Sequence, residues 1–325
     1  MIVDLAMVAG GFLLLMGGAD YLVRGAVGLA RRIGVSTLVI GLTVVALGTS
    51  LPELVVSLRA AIGGNTGLTV GNIVGSNIAN ILLILGVAAV IWPVACARTT
   101  LFRDGSAMVA ATALFVVVGL AGGYGRIYGF VGLGLLVAYM GWCYHHDRRD
   151  GGLAAREAEE VEPIQGSAVL LWLAILGGLV AVVAGGELLV HGAVGIARTL
   201  GVSEEVIGLT LVAFGTSVPE LATTVVAAMR RHADVALGNV LGSNLFNLLG
   251  VLGVTAIVVP LPLPDKIAAF DLWVMAGVSI LLVPLMRSGW RLGRLEGGIF
   301  VMIYIAFVAA QFFGVGEYMT ALAAR

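Results

Sequence analysis

GLTVVALGTSLPELVVSLRAAIGG, residues 41–64, returns 167 residues later as GLTLVAFGTSVPELATTVVAAMRR, residues 208–231. Each copy sets a proline and a glutamate inside a long apolar run. Proline removes a backbone donor and pushes aside the carbonyl four residues back, and a carboxylate at bilayer depth costs several kcal/mol. A chain that carries both expenses twice, in register, is building a site, so Glu53 and Glu220 are the residues to explain.

The surroundings of these two stretches fix the class of protein. Of 325 residues, 60% are hydrophobic and 11% charged, and the mean hydropathy is +1.07. Such a composition excludes an ordinary soluble domain and indicates an all-α polytopic membrane protein. The 47 glycines suit close helix packing in lipid. A net charge of -1 argues against a nucleic-acid surface. Cys96 and Cys143 have no metal-ligand spacing. His145, His146 and Asp147 are adjacent, so they do not share a helix face and make a poor metal site. No cofactor motif and no obligate protein partner is evident; the expected partners are the lipid bilayer and small ions.

A spanning helix needs about 20 mostly apolar residues. Ten such stretches occur, at 3–30, 36–62, 68–93, 105–122, 127–146, 167–197, 203–229, 234–260, 267–286 and 296–316. The first lacks a basic leader and a cleavage site and reads as a retained span. Alternate connections hold Arg31 and Arg32; Arg98 and Arg103; Arg148, Arg149 and Arg156; Arg230 and Arg231; Arg287, Arg291 and Arg294. The others hold one basic residue each: Arg59, Arg126, Arg198, Lys266 and Arg325. By the positive-inside rule both termini face away from the cytoplasm, in a cell (inner) membrane. The polar segment 148–166 is then a cytoplasmic linker.

The 167-residue offset aligns GADYLVRGAVGLARRIGVS from Gly18 with GGELLVHGAVGIARTLGVS from Gly185, and GNIVGSNIANILLILG from Gly71 with GNVLGSNLFNLLGVLG from Gly238. The duplicated unit holds five spans, an odd number. The second copy therefore enters the membrane from the opposite side, as in many secondary transporters. Residues 1–147 form the first half, with a motif block at 41–86, and residues 167–325 the second, with its block at 208–253. Asp20 and Glu187 are a further repeat-equivalent pair of intramembrane acids, each expected to pair four residues on, with Arg24 and His191.

Proline at 52 and at 219 should break each second span and leave polar backbone at membrane depth, tolerable only where protein or a wet cavity surrounds it. Thr49 and Glu53 share a face four residues apart, with Ala46 and Ser50 flanking the freed carbonyls; Ala213, Thr216, Ser217 and Glu220 repeat the pattern. The following spans add Ser76 with Asn80 and Ser243 with Asn247. Gly71 and Gly75, like Gly238 and Gly242, form packing faces. The set is two carboxylates, hydroxyls, carboxamides and carbonyls, with no His or Cys. All-oxygen ligation suits hard cations, and two carboxylates balance one divalent charge. Enzyme signatures such as HExxH and GxGD are missing, and paired broken helices favour a carrier over a passive channel.

GTSLPE with GNIVGSNIAN, and GTSVPE with GNVLGSNLFN, resemble the α-1 and α-2 repeats of the cation/Ca²⁺ exchanger superfamily, most closely its prokaryotic sodium/calcium exchanger branch. The resemblance covers nearly the whole chain. It implies ten transmembrane helices as two inverted five-helix repeats, a core from spans 2, 3, 7 and 8, and spans 1 and 6 moving across it. It implies an antiporter of Ca²⁺ and Na⁺, in which Glu53 and Glu220 are shared central metal ligands. Thr49, Thr216, Ser50, Ser217, Ser76 and Ser243 would supply hydroxyl oxygens, Ala46 and Ala213 carbonyls, and Asn80 and Asn247 the middle of the site. One departure stands out: sodium-driven archaeal relatives are expected to carry aspartate where this chain has Asn247. That leaves a Ca²⁺/H⁺ antiporter on the same fold as the alternative. The linker also lacks the large cytoplasmic Ca²⁺-sensing domains of animal relatives, so no such regulation is expected.

Overall fold

The computed structural model describes residues 1–149, 164–200, 213–287, 289–315 and 318–319. These are almost wholly helical, because backbone in lipid must satisfy its own hydrogen bonds. Among the described residues eight helices are long and apolar enough to cross a bilayer. They are α1 (Ile2–Ile33), α4 (Thr66–Ile91), α5 (Arg98–Leu120), α6 (Arg126–Arg148), α7 (Ala168–Thr199), α10 (Ala233–Val258), α11 (Ile267–Arg287) and α12 (Arg294–Phe312). The pair α2 (Thr37–Thr49) and α3 (Leu51–Ile62), bent by 43°, is together also long and apolar enough to cross as one span. The short helices α8 (Ala213–Gly215) and α9 (Val218–Met229) fall in the expected seventh span. Residues 203–212 of that span and 150–163 of the expected linker lie outside the described residues. The chain is a multi-pass membrane protein.

Some helix ends follow local chemistry. Gly34, at φ 74°, closes α1, and the Ser36 and Ser167 hydroxyls cap α2 and α7 by accepting from Val39 N and Leu170 N. Among the described residues the largest difference from the expected boundaries is at the fourth span. The fourth span begins at Arg98 and not near 105, through a π-helical turn at Leu101–Gly105. The reason is charge neutralisation: fully buried Asp104 takes two hydrogen bonds from Arg103, at 2.7 and 3.0 Å, and one from Tyr139 at 2.7 Å. A satisfied pair of this kind can enter a helix that an isolated Asp could not.

Burial separates core from periphery. Of an 18-residue apolar stretch of α4, 78% is inside the protein, and of α10, 83%, against 11% for α12. The polar residues of α4 and α10 therefore face protein and not lipid. Gly238 and Gly242 let α10 press against the second span: an added Cβ would sit 2.6 Å from Leu38 O and 2.5 Å from Leu42 O respectively. Helices α1 and α7 cross on a glycine seam, where a Cβ on Gly11 would meet Gly185 O at 2.7 Å and one on Gly18 would meet Gly178 O at 2.8 Å. This pair lies against the core, with Leu15, Ala19, Val23 and Val27 of α1 packed with Val218, Ala222 and Val226 of α9.

Contacts between distant parts recur at the offset of the duplication. Thr112 and Ser279, 167 residues apart, hydrogen-bond to one another at 3.5 Å. Strand β1 (Val94–Ala95) pairs with β2 (Arg291–Leu292), joining the α4–α5 connection to the α11–α12 connection. A bridge between Tyr124 and Leu261 does the same for the connections α5–α6 and α10–α11. π-Helical turns at Asn80–Leu85 and Phe246–Val251 also correspond within a residue.

Candidate cation site

Each expected break is present. In the second span the helix stops at Thr49, Ser50 takes φ −87° and ψ 6°, and the helix restarts at Leu51 with Pro52 in its first turn, where no N–H is needed. Ser217 takes φ −92° and ψ 3°, and α9 restarts at Val218 with Pro219 in its first turn. Glu53 and Glu220 thus stand in the first turn of a helix, where the dipole favours negative charge. Both are buried, at 2% and 1% exposure.

The two breaks are bonded crosswise. Ser50 Oγ donates to Glu220 Oε1 at 3.0 Å, and Ser217 Oγ lies 3.4 Å from both Glu53 Oε1 and Ser76 Oγ. Thr49 Oγ1 lies 3.3 Å from Asn239 Oδ1, and Thr216 Oγ1 3.5 Å from Asn72 Oδ1. These bonds make two groups, Ser50 with Glu220, and Glu53 with Ser217 and Ser76, each containing residues of both halves of the chain. Among the described residues Glu53 Oε2, Glu220 Oε2, Asn80 Oδ1, Ser243 Oγ and both amide atoms of Asn247 have no protein hydrogen-bond partner despite burial. Buried polar atoms are rarely left so, and oxygen donors of these kinds are those that suit hard cations.

Three expected donors behave differently. The Ala46 carbonyl is not freed by the break: it accepts from Ser50 N at 3.0 Å, which leaves one lone pair, and Thr49 Oγ1 lies 3.4 Å from the same oxygen. Ala213 opens α8. Asn80 donates through Nδ2 to Asn244 Oδ1 at 3.0 Å, so only its oxygen is available. Asn72 and Asn239 were absent from the sequence reading, although both lie in the quoted GN blocks. Their signal is repetition itself: a polar residue kept at both copies of a packing motif that does not need it.

The flanking acids depart from simple i,i+4 pairing. Asp20 Oδ2 lies 3.6 Å from Arg24, but Oδ1 lies 2.5 Å from Arg230 Nη2. His191 Nδ1 meets the main-chain oxygen of Glu187 at 2.8 Å, not its carboxylate. Among the described residues no group of three His, Cys, Asp or Glu could hold a metal. Asp147 instead accepts from Ser36 N, and His146 stacks on Trp142 at 5.8 Å.

Spanning helices that bury two carboxylates and several unpartnered polar atoms define a polytopic membrane protein built round a polar core. The sequence profile of the family described as "Sodium/calcium exchanger protein" matches residues 3–145 and 170–313, and the chain belongs to that family. It is 39% identical to a putative antiporter, CaxA, of Alkalimonas amylolytica, over 94% of this chain and 98% of the relative. It is 33% identical to the sodium/calcium exchanger MaX1 of Methanosarcina acetivorans, over 93% and 97%. The solved structure of the sodium-calcium exchanger NCX_Mj superposes with a TM-score of 0.83 at 34% identity, covering 95% of this chain and 99% of that one.

Proposed function

We propose that this chain is a secondary antiporter that exchanges Ca²⁺ for Na⁺ by alternating access, with Glu53 and Glu220 as the shared ligands of both ions. The observation that carries this reading is the crossed pair of bonds from Ser50 to Glu220 and from Ser217 to Glu53, which fixes one oxygen of each carboxylate and leaves the other, Oε2, without a protein partner. Thr49, Thr216, Ser76, Ser243, Asn80, Asn247 and the carbonyls of Ala46 and Ala213 complete the ligand set.

Ten spans in two inverted five-span halves account for the contacts that recur at the 167-residue offset, including the bond between Thr112 and Ser279. The halves are not in equivalent states. Val218 and Ala222 of α9 are 5% and 8% exposed beneath α1, whereas the equivalent Leu51 and Val55 of α3 are 42% and 47% exposed. This supports access from the side of the α3 C-terminus, which the arginine distribution makes the non-cytoplasmic side of the inner membrane, the side of both termini.

The coupling follows from charge. Two ionised carboxylates at midplane repel one another and lack water, so the ion-free site resists being closed off and carried across. One Ca²⁺ or several Na⁺ neutralise it, and each can enter only as the other leaves. Radiolabelled Ca²⁺ flux in proteoliposomes tests this. A sodium gradient at fixed pH should drive uptake; flux driven only by a pH gradient without sodium would make the chain a Ca²⁺/H⁺ antiporter.

A further inference from the structure

Two asparagines outside the ligand set hold the hydroxyls that belong to it. The Asn239 carboxamide, fully buried, donates through Nδ2 to Thr224 Oγ1 at 2.9 Å and to the main-chain oxygen of Glu220 at 3.4 Å. With both hydrogens engaged by acceptors of its own half, its Oδ1 must face the other way, toward Thr49 of the first half, at 3.3 Å. Asn72 repeats the arrangement. Its Nδ2 donates to Ser57 Oγ at 3.0 Å in its own half, and its Oδ1 accepts from Thr216 Oγ1 of the other half at 3.5 Å.

The consequence concerns protons. A threonine hydroxyl can bind a cation only if its single hydrogen points elsewhere. The partners given for Thr49 Oγ1 are all acceptors: Val45 O at 3.1 Å, Asn239 Oδ1 at 3.3 Å, Ala46 O at 3.4 Å and the Glu220 carboxylate. The hydrogen is held against protein and the lone pairs remain free. Asn239 also grips the Glu220 main chain, so one side chain fixes both a hydroxyl of the first break and the backbone of the second.

We propose that Asn72 and Asn239 are positioning residues of the cation site, each anchored in its own half and orienting a threonine ligand of the other. The inference rests on the site reading above. Asn239 is the stronger of the two, because it is fully buried and makes the additional bond to Glu220, whereas Asn72 is half-buried.

A double-mutant cycle tests the proposal, with Ca²⁺ titrated calorimetrically into the full chain in detergent without sodium. Asn239→Leu should weaken Ca²⁺ binding by roughly 10–100-fold, as loss of an outer partner of a metal ligand does, and Asn72→Leu by less. Thr49→Val should weaken it as well, and the double variant Thr49→Val/Asn239→Leu should bind no more than about threefold worse than the poorer single variant, because both changes remove the same oriented hydroxyl. Multiplying effects, or an unchanged affinity in Asn239→Leu, would overturn the proposal. A merely structural asparagine would lower the ion-free melting temperature without this non-additivity. Unchanged affinity in Thr49→Val would instead remove Thr49 from the site, and the proposal with it. If Asn239→Leu does not fold, the cycle of Thr216→Val with Asn72→Leu puts the same question in the other half.

Discussion

Ser50 Oγ donates to Glu220 Oε1 at 3.0 Å although the two residues stand 170 positions apart, and Ser217 reaches back to Glu53 in the same way. Each carboxylate is thus aimed by the opposite half of the chain. Glu53→Gln or Glu220→Gln removes one of the two charges that balance Ca²⁺ and should abolish sodium-driven Ca²⁺ flux while leaving the melting profile of a folded protein. Ser50→Ala removes one hydrogen bond to a charged group, about 1.5–3 kcal/mol, and should weaken Ca²⁺ binding roughly ten- to hundredfold. Robust flux in either glutamine variant would remove these glutamates from the transport step.

Asn247 bears on which ions are coupled. Its side chain is 1% exposed, and neither amide atom has a protein partner among the described residues. Asn247→Asp places a third carboxylate in the site, so bound Ca²⁺ no longer balances the charge. Ca²⁺ should bind more tightly, and one further monovalent ion should be needed per cycle, steepening the dependence of Ca²⁺ efflux on sodium concentration. A sodium dependence identical to that of the parent would place Asn247 outside the site.

Much of this was legible because the duplication carries its own control. Pro52 with Pro219, and Ser50 with Ser217, predict two breaks, and the backbone bends at both serines. What sequence could not supply were partners set by helix crossing. Asp20 reads as the partner of Arg24, since both lie on one helix face, yet its shorter contact is with Arg230 at the end of α9. Asp104 reads as a loop residue because nothing local reveals Tyr139, 35 positions on, as the donor that helps bury it. Asn72 and Asn239 were hidden in a glycine motif whose packing role was sufficient explanation.

The Asp20–Arg230 contact has no counterpart in the other half, where the positions equivalent to Arg230 and Arg231 are Gly63 and Gly64. It is a close ion contact at 2.5 Å without hydrogen-bond alignment, partly open to solvent, and it ties α1 to the end of α9. Such pairs contribute up to about 1 kcal/mol, enough for roughly a fivefold change in a two-state population. Asp20→Asn should therefore loosen α1 over α9. With Cys96 and Cys143 replaced, a cysteine at Ala222, now 8% exposed beneath α1, should be labelled several-fold faster by a soluble maleimide in Asp20→Asn than in its absence. Equal rates would mean the pair does not hold α1 in place.

His232 makes stability sensitive to acid. It precedes α10, is 6% exposed, and its Nε2 has no partner among the described residues. Burial, with Arg31 and Arg230 nearby, pushes its pKa down from the usual 6.5 to about 4. The folded protein then refuses a proton that the unfolded chain accepts as pH falls below about 6.5, so stability declines progressively between that point and about pH 4. Its counterpart in the first half, Asn65, caps the next helix by accepting from Leu68 N at 3.4 Å, whereas His232 makes no side-chain cap. His232→Asn should remove this source of acid sensitivity and supply a cap, typically about 1 kcal/mol. Thermal melts of the purified protein at pH 7.5 and pH 5 provide the check: the parent should lose more melting temperature on acidification than the variant. Equal losses would mean that His232 is protonated in the folded protein as readily as in the unfolded chain.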